Sequence, residues 1–299
     1  MRRALEILAL VALLATPARP APALIVHETD SAYHHITVFD QAGLRILSFN
    51  GSQETRMALD NHLAGHFDYT EFFQLPIIVN PGLSNVLMVG LGGGSTQRAY
   101  EFYYPRVRVD TVEIDPAVVL VAKRFFTVQE SPTHRLHVAD GRVFLKRNPV
   151  KYDAIIMDAY QTGRYGSQAP HHLITQEFFQ IASTNLTTNG MLLYNVIGTA
   201  FGWQSTVVGA MHRTMKTVFP QVYWFPAANS QNVVLLATKS KEPLTISKLR
   251  QQYETMARRQ QLFPPNFPAR INALHTNVPP AAARATIFQD KFAPPQMMQ

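Results

Sequence analysis

The sequence predicts an α/β protein: a Rossmann-like, doubly wound, mostly parallel sheet preceded by a small N-terminal β-rich domain. Three observations carry this. From Asn85 to Ala237, short apolar runs of strand composition alternate with helical stretches, the pattern of a parallel sheet covered on both faces. The first of these runs ends in Gly90-Leu91-Gly92-Gly93-Gly94-Ser95 and leads straight into a helix. Residues 24–75 instead carry hairpin signals.

Taken in order, Arg2 and Arg3 precede an apolar stretch from Leu5 to Ala15 interrupted by Glu6, and small residues follow as far as Ala23. These are the parts of a secretory signal peptide over residues 1–23. An exported protein, periplasmic or secreted, is expected, or a cytoplasmic one if the leader is not cleaved. The stretch falls well short of the roughly 20 residues that span a bilayer, and no other segment is long enough, so no stable membrane span is expected. In the β-rich domain, residues 24–80, His35–Phe39 and Leu44–Phe49 read as strands joined by Asp40-Gln41-Ala42-Gly43, and Asn50-Gly51 marks another turn. Residues 54–74 read as helical. Pro76 and Pro81-Gly82 mark a boundary.

The α/β domain, residues 81–240, has strands at Val86–Val89, Val107–Ile114, Leu136–Val138, Ala154–Met157, Met191–Val196 and Val233–Ala237. Helices are expected near 95–104, 116–126, 175–187 and 203–218. Residues 241–299 hold one helix, about 245–260, and then a tail with seven of the chain's 20 prolines, read as a wrapped or disordered extension.

Composition narrows the chemistry. Hydrophobic residues make up 46% of the 299 and charged residues only 16%, against about 25% in an average soluble protein. That excludes disorder driven by charge. With no cysteine, disulfides, thiolate metal sites and cysteine nucleophiles are excluded. The net charge of +7 is spread without a long basic run, so no nucleic-acid partner is expected. His27, His34 and His35 lack carboxylate spacing that would suggest a metal, and are read as solvated strand histidines.

The expected site lies at one edge of the sheet. A glycine turn between strand and helix exposes backbone amides to an anionic or polar ligand. Glu113 stands 19 residues after Gly94, at the end of the next strand, where a carboxylate can accept both ribose hydroxyls. Asp140-Gly141 ends the third strand and Asp158 the fourth. Each acid has a simpler reading: Glu113 or Asp115 could cap the helix starting at Pro116, and Asp140 the next one. Four strand ends in succession, each delivering a glycine turn or an acid, favour a nucleoside site.

Val-Gly-Leu-Gly-Gly-Gly, then Val-Glu-Ile-Asp-Pro, Ala-Asp-Gly-Arg and Tyr-Asp-Ala-Ile-Ile-Met-Asp-Ala-Tyr, together resemble the spermidine synthase family, polyamine aminopropyltransferases on a class I methyltransferase-like fold. The resemblance runs from about His27 to Thr238. It includes Gln53 in the β-domain, Tyr69 in the segment after it, and the Pro170-His171-His172-Leu173 and Thr175–Phe179 stretches. It implies S-adenosylmethionine or decarboxylated S-adenosylmethionine as co-substrate, with no metal, and a small-molecule acceptor. Gly90, Gly92 and Gly94 would present amides to the cofactor's tail. Glu113 would hold the ribose and Asp140 with Gly141 the adenine, and Gln53 would be among the cofactor-binding residues. Asp158 and Tyr69 would face the reacting centre. Homodimer formation is implied as well.

Two positions depart from the family pattern. Gly93 stands where an acid is usual, and Gln161 where a second acid binds the acceptor amine. Glutamine cannot serve as a base near neutral pH. The loop 159–173 has no acid and carries Arg164, so a polycationic acceptor would be left unpaired there. His171 could replace the lost base, and Tyr160 and Tyr165 could line the acceptor pocket or simply pack the loop. Trp203 and Trp224 are read as core. Three functions stay open: aminopropyl transfer, methyl transfer to a non-polyamine acceptor, and a non-catalytic exported binding protein.

Overall fold

The computed structural model describes residues 22–163, 166–202 and 204–291. Nearly all of the expected leader, together with Arg164, Tyr165 and Trp203, lies outside them. The chain opens with a four-stranded antiparallel sheet in sequential order: β1 (Leu24–Asp30), β2 (His35–Gln41), β3 (Leu44–Phe49) and β4 (Ser52–Ala58). Its two tight turns are Ala42-Gly43 and Asn50-Gly51, all four residues at positive φ between 50° and 87°. That geometry matches the twist of the flanking strands.

Residues 54–74 are not the expected helix. β4 runs to Ala58, and a 3₁₀ segment (Asp68–Gln74) leads into the short α1 (Leu75–Val79). Along β4, Thr55 and Met57 are buried while Glu54 and Arg56 are less so, a period of two that no helix can satisfy. The sheet closes its apolar face on α3 (Pro116–Phe125): Ile36, Val38, Leu47, Phe49 and Met57 form one cluster with Val118, Val121 and Phe126. Asp115 caps α3 through Ala117 N at 2.9 Å and accepts a bond from Ser31 Oγ at 2.5 Å. The β1–β2 turn is thus tied to the start of α3.

The main sheet contains β5 (Asn85–Val89), β6 (Arg108–Glu113), β7 (His134–Val138), β8 (Tyr152–Met157), β11 (Leu186–Ile197), β12 (Gln221–Pro226) and β13 (Asn232–Thr238). A small hairpin, β9 (Gln161–Gly163) and β10 (Gly166–Gln168), projects after β8. The strand order is β12-β13-β11-β8-β5-β6-β7, parallel except for β13, which runs against both neighbours. Helices α2 (Ser95–Tyr103), α4 (Gly141–Arg147), α5 (Gln176–Asn185) and α6 (Ser205–Lys216) make the crossovers with α3. The central strands are apolar on both faces. Leu87, Ile155 and Leu192 join one buried cluster, and Val86, Met88, Ile156 and Leu193 the other.

The chain leaves β5 in one direction, through β6 and β7, and returns on the other side as β8. The order therefore reverses between β5 and β8, which opens a crevice beyond their carboxyl ends. The described part of the C-terminal segment is wrapped rather than disordered. α7 (Ile246–Arg258) and α8 (Phe267–Asn272) bury Leu249, Phe267 and Ile271 in the core. Arg270 reaches back to Glu71 (2.8 Å) and Asp68 (3.4 Å), and His275 stacks on the buried Trp224 at 3.8 Å.

Candidate active site

The crevice holds a pocket. The turn after β5 and the ends of β6, β8 and the β7–α4 junction form its floor, and the N-terminal sheet and the β9–β10 hairpin its roof. Gly90, Gly92, Glu113, Asp140, Gly141, Asp158, Tyr69 and Gln161 all line it, so eight residues expected from the sequence share one cavity. Gly90 has φ +100°, and a Cβ there would come within 2.2 Å of the Asp158 carbonyl oxygen. Only glycine lets the β5 turn pass this close to the end of β8. We predict that Gly90→Ala costs about 2–3 kcal/mol, from left-handed strain plus the backbone clash, measurable as a lower denaturation midpoint.

Glu113 Oε2 accepts from Leu91 N and Oε1 from Asp115 N, each at 3.0 Å. Asp115 does the helix capping, which frees Glu113 to face the pocket. Burial pushes the Glu113 carboxyl above its ordinary pKa, and the two amides oppose the shift. Asp140 serves two purposes. Its Oδ1 caps α4 through Val143 N at 2.8 Å, and its Oδ2 lies 2.7 Å from His172 Nε2.

Asp158 is strongly perturbed. Burial lifts its carboxyl pKa from 3.8 to about 7, against hydrogen bonds from Asn195 Nδ2 (2.9 Å) and Tyr69 OH (3.3 Å). Asn195 is itself fixed by Asn232 Nδ2 on its Oδ1 at 3.0 Å. A carboxyl poised near neutral pH in a cleft is suited to accept a proton.

Four placements differ from the sequence reading. Gln53 is exposed and does not line the pocket; its neighbour Glu54, on the other face of β4, does. Glu54 Oε1 accepts from Ser167 Oγ (2.9 Å) and Thr162 Oγ1 (3.2 Å), and burial raises its pKa. A carboxylate therefore reaches this site from the N-terminal sheet. His171 is not among the lining residues, whereas His172 is. Gly94, at φ +73°, starts α2 behind the pocket and packs toward Val128. His34 is not a solvated histidine: it is buried, stacks on Phe49 at 4.3 Å and lines the pocket. His27 stacks on Phe125, and His35 sits between Glu28 and Asp30.

The sequence reading does not place Glu54, His34 or Asn195 at the site, and for Glu54 the alternation along β4 is a weak signal.

Gly93 is filled from outside. Its amide donates to Thr55 Oγ1 at 2.9 Å, and a Cβ would meet Thr55 Cγ2 at 2.7 Å. An acid could stand there only if Thr55 moved. Among the described residues no group of three or more His, Asp or Glu side chains is arranged to hold a metal ion.

The chain is similar in sequence and fold to known proteins. The profile of the Spermine/spermidine synthase domain matches residues 66–246. The polyamine aminopropyltransferase of Vibrio vulnificus is 31% identical, with 97% of each chain covered. A probable spermidine synthase from Corynebacterium glutamicum superposes with a TM-score of 0.64 at 19% identity, covering 76% of this chain and 86% of that one. Human methyltransferase-like protein 13, in complex with SAH, superposes at 0.56 with 24% identity, covering 64% and 91%. The chain has the expected fold, a methyltransferase-like sheet behind a small β-domain, and it belongs to the spermine/spermidine synthase family.

Proposed function

We propose that this protein is an alkyltransferase that uses S-adenosylmethionine or its decarboxylated form and a small amine acceptor. One observation carries the reading: Asp158, near neutral pKa and held by Tyr69 and Asn195, stands in the same pocket as Glu113 and Asp140. Glu113 offers a carboxylate to a ribose, Asp140 an acceptor to an adenine amino group, and the turn at Gly90 and Gly92 a surface without side chains. These residues fit an adenosyl sulfonium, whose positive charge makes its alkyl carbons electrophilic. An amine lone pair forms the new carbon–nitrogen bond as the carbon–sulfur pair departs with the thioether, and the amine's proton passes to Asp158. The protein contributes alignment and proton transfer. Glu54 adds a second carboxylate beside Asp158, where Gln161 cannot supply one.

Methyl transfer is favoured over aminopropyl transfer by the Thr55–Gly93 contact. The glycine turn has no carboxylate for the free ammonium of the decarboxylated compound; the amides of Gly90 and Gly94, expected to face the cofactor's tail, instead donate to Val112 O and Leu91 O, which leaves the Gly92 amide to meet the carboxylate of the intact one. In calorimetric titrations, intact S-adenosylmethionine is expected to bind roughly ten-fold more tightly than decarboxylated S-adenosylmethionine, about 1.4 kcal/mol. The reverse order would support aminopropyl transfer. Binding of neither compound nor of methylthioadenosine at millimolar concentration would rule out both.

A further inference from the structure

A second cavity of about 500 Å³ lies beside the nucleoside pocket, between the end of β11, the first turns of α6 and the C-terminal segment. That volume is in the roughly 300–1,000 Å³ range of small-molecule sites. Its walls include Ile174, Val196, Val207, Ala210, Met211 and Phe288. The polar groups on it, such as Asn195 and Gln204, are uncharged, and no Asp, Glu, Lys or Arg is among its described lining residues. Tyr194 also lines it, with a buried hydroxyl that has no hydrogen-bond partner.

The two cavities share a wall at the reacting end. Tyr160 lines both. Asn195 lines the second and donates to Asp158 Oδ1 in the first, at 2.9 Å. Ser167 lines the second and donates to Glu54 Oε1 in the first, at 2.9 Å. Both carboxylates thus belong to the nucleoside side, and the second chamber begins behind the groups that hold them.

Resting on the alkyl-transfer reading, we propose that this chamber receives the uncharged body of the acceptor, so that the substrate class is a monoamine with an aryl or alkyl tail. The amine head meets Asp158, where its nitrogen displaces the thioether and its proton is taken up. The tail fills the chamber, where burial of apolar surface is favourable. The distal ammonium of a diamine placed there would be desolvated with no carboxylate to pair it. Tyr194 leaves room for one hydrogen-bonding group on the tail.

The test uses the full chain and two probe amines of matched linker length, 4-phenylbutylamine and 1,4-diaminobutane, titrated with and without methylthioadenosine. The arylamine is expected to bind at least roughly ten-fold more tightly than the diamine. Val207→Trp, which fills the chamber, should weaken the arylamine by roughly ten-fold and leave diamine and methylthioadenosine within about two-fold. Ala210→Leu, a milder filling, should act in the same direction, and unchanged methylthioadenosine affinity certifies the fold of each variant. Tighter binding of the diamine, or arylamine affinity indifferent to both substitutions, would overturn the proposal. If methylthioadenosine fails to bind while the arylamine pattern holds, the alkyl-transfer reading falls and the chamber stands as an aryl-amine site.

Discussion

Asp158→Asn is expected to lower kcat/KM by about 10³-fold, within the range a positioned general base contributes, while methylthioadenosine affinity changes little. The substituted amide can still accept from Asn195 Nδ2 through its oxygen, so the pocket keeps its shape; what is lost is the proton acceptor. The pH profile makes the claim specific. With the Asp158 pKa near 7, the native rate should fall as pH drops through 7, because the protonated acid cannot accept a second proton. That limb should be missing from the variant's residual activity. Stability should move the other way. The folded-state pKa lies above the ordinary carboxylate value, so the native state retains a proton that the unfolded chain gives up. Stability therefore falls as pH rises from about 4 to 7 and is level above that, and acidification from pH 8 to pH 5 restores part of it. The neutral amide escapes that cost, which from a shift of 3.8 to about 7 is at most about 4 kcal/mol. Asp158→Asn should accordingly raise Tm at pH 8 more than at pH 5. A variant with unchanged kcat/KM, or one destabilised equally at both pH values, would remove Asp158 from the proton path.

The fold and the row of acids are legible in the chain for a physical reason. β5, β8 and the inner part of β11 are buried on both faces, so their apolar runs stand out against any background, and the parallel crossovers then bring the carboxyl ends of these strands and of β6 to one edge. The glycine turn, Glu113, Asp140 and Asp158 follow from that logic alone. The N-terminal part is harder. Along β4, polar Glu54 and Arg56 alternate with Thr55 and Met57, and the alternation carries too little hydrophobic contrast to separate a strand from a helix. Because a strand turns successive side chains to opposite faces, an error of one residue moves a predicted ligand from the pocket to solvent. That is the difference between Gln53 and Glu54. His171 and His172 repeat the problem in a loop. Asn195 is invisible for another reason: it lies inside a strand whose neighbours are apolar, and only the sheet order puts it beside Asp158. The C-terminal segment misleads because proline content speaks to local stiffness, whereas Arg270, Phe267 and His275 dock through partners more than 50 residues away in the chain.

Glu113→Ala should abolish nucleoside binding while leaving the protein folded. The argument starts from what the carboxylate does without ligand: it accepts the amides of Leu91 and Asp115, drawing the turn after β5 toward the end of β6. A ribose diol would add two hydrogen bonds to a charged acceptor, each worth roughly 1.5–3 kcal/mol. Losing both, together with the loosened turn, predicts a drop of about 10³-fold in methylthioadenosine affinity, about 4 kcal/mol. Glu113→Gln should fall between, because the amide keeps one acceptor oxygen and loses the charge. Folding should survive, since Asp115, not Glu113, caps α3, and the apolar contacts of β6 are made by Val109 and Val112. The comparison with Asp140→Ala separates the two acids. That change would remove the proposed adenine contact and removes the α4 cap, so it should reduce affinity less and stability more, the cap alone being worth about 1 kcal/mol. If Glu113→Ala binds methylthioadenosine as the native protein does, the ribose does not lie at the end of β6, and the orientation assigned to the whole pocket is reversed.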